Sequence, residues 1–209
     1  MAVKKLVEVW DGKQIIDKNI SFLKKQTKDV LFPLSKESKN ILEDLLDTYK
    51  ITPCAGIAAN QIGYDKKIFI GLKYDDSEYE NDEEDKKNEE KVLGNPNAEN
   101  FEFYINPRIE YSTKKSLQEG EEGCLSIPEI RLIAERFDKI KVIYFDQKGN
   151  KIKKPIAGFL SRLFQHELDH LNGVLMVENS KIKSVYRISE NENVEKLYMS
   201  LTKQLSKFS

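Results

Sequence analysis

The sequence predicts an α+β fold with antiparallel strands, on three observations. Helical and strand-like stretches do not alternate regularly, so a parallel sheet of β-α-β units does not fit. Two alternating stretches, 139–145 and 151–156, flank Gly149-Asn150, a two-residue turn signal that marks an antiparallel hairpin. One apolar-faced helix spans 158–171, with Phe159, Leu160, Leu163, Phe164 and Leu171 at helical spacing, and Asn172-Gly173 stops it. A chain of 209 residues fits one domain better than two.

The remaining elements follow in order. Residues 1–34 hold apolar positions such as Ile15, Ile16, Ile20, Phe22 and Leu23 without a firm period. Ser35 reads as the N-cap of a helix running to about Tyr49, with Ile41, Leu42, Leu45, Leu46 and Tyr49 on one face and Pro53 as its stop. Cys54–Gln61 has little bulk and suits a close backbone approach. Residues 67–72 and 101–105 read as strands, the second ended by Asn106-Pro107, and 130–156 alternates apolar with polar. Between the first two, residues 75–99 are mostly Asp, Glu, Lys and Asn. They bury too little to offset their ordering entropy, so they read as a solvated or disordered insertion. A last helix is expected over about 194–205.

Composition narrows the function. Lys+Arg is 34 and Asp+Glu is 35, a formal net charge of −1, which leaves no electrostatic footprint for nucleic acid. No apolar run reaches the roughly 18 residues of a membrane span, and the N-terminus lacks a signal-peptide core, so a soluble cytoplasmic protein is expected. Two cysteines, Cys54 and Cys124, are too few for a disulfide scaffold.

Both histidines of the chain, His166 and His170, lie in Gln165-His166-Glu167-Leu168-Asp169-His170, an H-E-x-x-H motif. Positions i and i+4 of a helix share a face, so two imidazoles can reach one cation while Glu167 stands close enough to work on water without ligating. A catalytic ion needs a third protein ligand and an open position. With no third histidine, that ligand is a cysteine or a carboxylate. Cys124, in Glu122-Gly123-Cys124-Leu125-Ser126, is the best-placed candidate, although a cysteine taken alone is commonly a buried inert thiol. Two rivals stand beside this reading. A zincin protease would draw its third ligand from Glu178 or Glu190. A closed structural zinc site would use Cys54, Cys124, His166 and His170 and would need no Glu167.

Three segments in the same order resemble the signature motifs of peptide deformylases. Cys54–Gln61 is similar to G-x-G-[ILV]-A-A-x-Q, Glu122–Ser126 to E-G-C-L-S, and Gln165–His170 to Q-H-E-x-D-H. The likeness continues through Ile105-Asn106-Pro107, Ile127-Pro128-Glu129 and Leu171–Leu175, and covers about 9–178 apart from the acidic stretch. Cys54 stands where the family has its first glycine, and Asn60 where it usually has proline.

The resemblance implies antiparallel sheets packed around a central helix that carries H-E-x-x-H, and removal of the formyl group from the N-terminal formylmethionine of new polypeptides. It implies metal ligands Cys124, His166 and His170, with Glu167 as general base and the Gln61 amide and Leu125 N–H facing the oxyanion. Gly56 and Gly123 would offer backbone to a peptide lying as an added strand. Ala55, Ile57, Phe159 and Leu163 are pocket candidates, and Arg131 is a candidate substrate contact. Glu122 and Arg136 match an ion pair that steadies the metal loop. Ferrous iron is the implied native ion, with Zn²⁺, Ni²⁺ or Co²⁺ as substitutes. Formylmethionyl peptides and nascent chains are the implied partners, and the ribosome is a candidate partner.

Overall fold

The computed structural model describes residues 2–75, 94–113, 115–179 and 181–187, together with the single positions 194, 199 and 203. Its helices are α1 (Asp17–Leu23), α2 (Lys36–Ile51) and α3 (Gly158–Leu171). Its strands are β1 (Gly56–Ala58), β2 (Ile68–Gly71), β3 (Glu102–Ser112), β4 (Leu117–Cys124), β5 (Ile127–Phe137), β6 (Lys139–Phe145), β7 (Lys151–Ala157) and β8 (Ile182–Arg187). These strands pair only in antiparallel fashion, and the isolated bridge Lys28–Lys66 is the one parallel pairing among the described residues. They make a five-stranded sheet of order β1-β2-β3-β6-β7 and a three-stranded sheet of order β4-β5-β8. The α+β expectation holds.

Strand alternation explains the layers. Ile57, Ile68, Ile70, Phe103 and Ile105 pack with Ile41, Leu42, Leu45 and Tyr49 of α2. The intervening residues Ala58, Phe69 and Tyr104, with Val142 and Tyr144, pack with Phe164 and Leu171 of α3, as side chains two apart share a sheet face. Phe69 stacks on Tyr104 at 4.3 Å, and Phe164 meets Phe69 edge-on at 5.4 Å. A third cluster joins Val9, Trp10, Ile20 and Leu23 to Ile127, Ile130 and Leu132 of the small sheet. Helix α3 also packs against β5, so it lies between the two sheets.

The ends of the helices carry chemical signals. Ser35 Oγ accepts from Ser38 N at 3.1 Å and caps α2 as expected. Gly173, at φ 76°, ends α3, and an added Cβ there would lie 2.3 Å from Lys24 O, so both conformation and space require glycine.

Several expectations are corrected. β3 does not stop at Asn106-Pro107 but runs through it to Ser112, with a register shift between Ile105 and Arg108. Asn106 takes φ 50°, and its amide exchanges hydrogen bonds with Val30 N and O at 2.8 Å each, which serves the displaced backbone as a bulge requires. The β6–β7 connection is a five-residue loop, 146–150, rather than a two-residue turn. Asp146 Oδ1 accepts from Lys148 N and Asn150 N at 2.8 Å and shapes it. Helix α1 and strands β1, β4 and β8 were not foreseen. The core of the acidic stretch, 76–93, and all but three positions of the expected last helix lie outside the described residues.

Candidate active site

α3 presents His166 and His170 on one face, and β4 ends on Cys124 beside them. One ligand atom from each of the three lies within 4.8 Å of the others, and all three residues are buried. Atoms bound to one ion at about 2.0–2.3 Å stand about 3.3–3.8 Å apart in a tetrahedron, so this donor set fits a single cation. His170 Nε2 is 3.2 Å from Cys124 Sγ. His166 donates from Nδ1 to Glu122 Oε2 at 3.1 Å, which leaves Nε2 free to ligate. Burial disfavours the Cys124 thiolate, yet His170 and His166 outweigh it and lower its pKa to about 5. The residues present therefore suit a thiolate-and-imidazole metal site.

Glu122 is nearly inaccessible. Burial works against its charge, but Arg136 and His166 hold its carboxyl well below the usual range. Arg136 clamps it in bidentate fashion, Nε to Oε1 and Nη2 to Oε2 at 2.8 Å each, and reaches Asp169 Oδ2 at 2.5 Å.

Glu167 is 3% exposed, and Oε2 has no hydrogen-bond partner among the described residues. Burial raises its pKa. Gly56 makes room for it, since an added Cβ would sit 2.8 Å from Oε1.

Gln61 lies in the 3-10 turn Ala59–Ile62. Its Oε1 accepts from Ala58 N at 2.8 Å, and its Nε2 points to Ser126 Oγ at 3.3 Å and Cys124 Sγ at 3.7 Å. The accepting oxygen is thus occupied and the amide NH₂ is turned towards the thiolate. Leu125-Ser126 form the tight link between β4 and β5, so the Leu125 N–H immediately follows Cys124.

Gln61, Glu122, Cys124, Leu125, His166 and Glu167 border an open cavity of about 480 Å³. Ala55, Gly56, Gly123, Arg131, Phe159 and Leu163 line it as well. Phe159 is 42% exposed at the rim, while Leu163 is buried. Ile57 is not in the lining; it points into the core beneath α2. Arg131 pairs with Glu121 at 3.4 Å and lies over Gly123, where an added Cβ would overlap its Nη1 at 1.8 Å.

Among the described residues the rival ligand sets are not assembled. Cys54 faces Asn95 Nδ2 at 3.8 Å and is outside the donor cluster. Glu178 pairs with Lys24 and accepts from Leu175 N at 2.9 Å, and Glu190 lies outside the described residues. Sequence reasoning missed Arg162 and gave Asp169 no role. Arg162 stands four residues before His166, on the same helix face, and that spacing was the available signal.

Two imidazoles, a buried thiolate and an unligated acid beside an open cavity are the equipment of a metal-dependent hydrolase. Comparison with known proteins narrows that class. The family model for polypeptide deformylase matches residues 13–185. The peptide deformylase of Aquifex aeolicus is 34% identical over 178 residues, 85% of this chain and 92% of that one. That of Thermus thermophilus is 36% identical over 143 residues, 67% of this chain and 68% of the relative. The crystal structure of peptide deformylase from Thermotoga maritima superposes with a TM-score of 0.64 at 28% identity, covering 90% of this chain and 99% of that one. A Met-Ala-Ser-bound peptide deformylase from Acinetobacter baumannii gives 0.65 at 26% identity, over 85% and 98% of the two chains. The chain belongs to the polypeptide deformylase family.

Proposed function

We infer that this chain removes the formyl group from formylmethionyl nascent polypeptides with Cys124, His166 and His170 holding a divalent ion and Glu167 as the general base. The carrying observation is the cluster of three donors within 4.8 Å, beside a buried carboxylate oxygen that has no hydrogen-bond partner among the described residues. Ferrous iron is the proposed native ion, with Zn²⁺, Ni²⁺ or Co²⁺ able to replace it, since thiolate and imidazole suit all four. Bound there, the ion supplies Lewis acidity that polarises the formyl carbonyl and acidifies water.

The chain's own residues supply the rest. Glu167 takes the proton of the attacking water as its oxygen bonds to the formyl carbon and the carbonyl electron pair moves onto oxygen. That pair then returns, the C–N bond breaks, and the same carboxyl gives the proton to the leaving amine. Formate and a free N-terminus result. Gln61 Nε2 and the Leu125 N–H meet the developing oxyanion, because both flank the Cys124 end of β4. Gly56 and Gly123 offer backbone to the peptide as an added strand. Leu163, Phe159 and Ala55 provide apolar surface for the methionine side chain, and Arg131 guards the entrance. The binding of Met-Ala-Ser by the Acinetobacter baumannii relative supports a peptide in this cavity.

Residues 1–209 are read as one domain, and no helix among the described residues is long and apolar enough to cross a membrane. A nascent substrate makes the cytoplasm the proposed compartment and the ribosome a candidate partner. Protein purified without oxygen should release formate from a formyl-Met peptide and leave an acetyl-Met control intact. Absence of formate at full metal loading would refute this function.

A further inference from the structure

The carboxylate that steadies His166 is held by a second cation the proposed chemistry does not use. Arg162 is 4% exposed. Its Nη1 reaches Glu122 Oε1 at 2.8 Å, Gly120 O at 3.1 Å and Ala134 O at 3.1 Å, and its Nη2 donates to Gln118 O at 3.1 Å. One guanidinium rooted in α3 therefore grips the backbone of β4, the backbone of β5 and the Glu122 side chain. Gly120 leaves room for it: an added Cβ would lie 2.9 Å from Nε and 3.0 Å from Cζ and Nη2.

Arg136 already clamps Glu122 on both oxygens, so neutralising that carboxylate does not require a second arginine. Placement does. The thiolate donor comes from the end of β4 and both imidazoles come from α3, so one ion is shared only if strand and helix keep a fixed offset. Arg162 sits one turn before His166 and bonds β4 at Gln118 and Gly120, a short way before Cys124. Its planar fork suits several acceptors held at once.

We propose that Arg162 is a positioning residue that fixes the Cys124 strand against the histidine helix and so sets how tightly, and in what geometry, the ion is held. The proposal rests on Cys124, His166 and His170 being the ligands.

Co²⁺-loaded parent and R162M protein test it, compared at a temperature where circular dichroism shows both folded. R162M should lose Co²⁺ to excess chelator about tenfold faster, the scale seen when outer partners of metal ligands are removed. Its thiolate-to-cobalt absorption should shift. R162K keeps the charge without the fork and should stay near R162M; full recovery by lysine would overturn the positional claim. G120A crowds the guanidinium from the opposite side and should speed cobalt loss in the same sense, and it decides the matter if R162M does not fold. S35A, a remote destabilised control, should leave cobalt loss unchanged. An unaltered loss rate and spectrum in folded R162M, or in G120A in its place, would overturn the proposal. A parent lacking the thiolate-to-cobalt band would instead refute the ligand set itself.

Discussion

At the scale of single residues, Glu167 is distinguished by what it does not touch. Glu122 and Asp169 are both committed to arginine, whereas Glu167 keeps a buried oxygen without a partner among the described residues, beside the donor cluster. An acid held apart in this way is available to a water and its proton. Glu167→Gln preserves shape and should leave metal content unchanged while kcat falls by about 10²- to 10⁴-fold. Formate assays with metal analysis on the same sample check it, and wild-type turnover would exclude this base. His166, Glu167 and His170 were legible because a helix turns an i, i+4 spacing into a shared face. Cys124 was only a candidate until the family motif was recognised, because nothing local ties a strand-end thiol to a distant helix. Arg162 was invisible for a related reason. Arginine is usually solvated, and the acceptors that make its burial tolerable come from two other strands.

At the scale of elements, α2 and α3 divide the work. α2 covers the face of the large sheet that carries Ile57, Ile68 and Ile70, while α3 covers the opposite face and carries the site. Ser35→Ala removes the only side-chain cap described for α2 and should cost about 1 kcal/mol. Urea unfolding should register that loss while formate release stays at the parental rate; a fall in turnover would show that the two helices are not independent. Both helices were readable from periodicity and stop signals, as were β2 and the β6–β7 pair. β4 was not, because its inward positions include Gly120 and Glu122, a glycine under a guanidinium and a buried carboxylate, in place of apolar side chains. Proline usually ends a ladder, so the sequence suggests that β3 stops at Asn106-Pro107, whereas Asn106 and its bonds to Val30 carry the strand past Pro107. The short α1 gave no usable period over Asp17–Leu23.

At the scale of the whole molecule, the proposed ligand set spans two layers. Cys124 belongs to the three-stranded sheet, and the histidines belong to a helix whose other side is packed on the five-stranded sheet. An ion held by all three binds the assembled fold and not the extended chain, so its binding free energy adds to folding stability. At a free concentration 100 times the dissociation constant, the gain is about 2.7 kcal/mol. For a chain of this size, that corresponds to roughly 5–10 °C in Tm. Stripping the ion with a chelator should lower Tm by that amount, and Co²⁺ or Zn²⁺ should restore it. Cys124→Ser breaks the link between the layers, so its Tm should respond weakly or not at all to the same additions. An equal metal-dependent rise in the serine variant would mean that the histidine helix holds the ion without the small sheet, and the two-layer site would have to be abandoned.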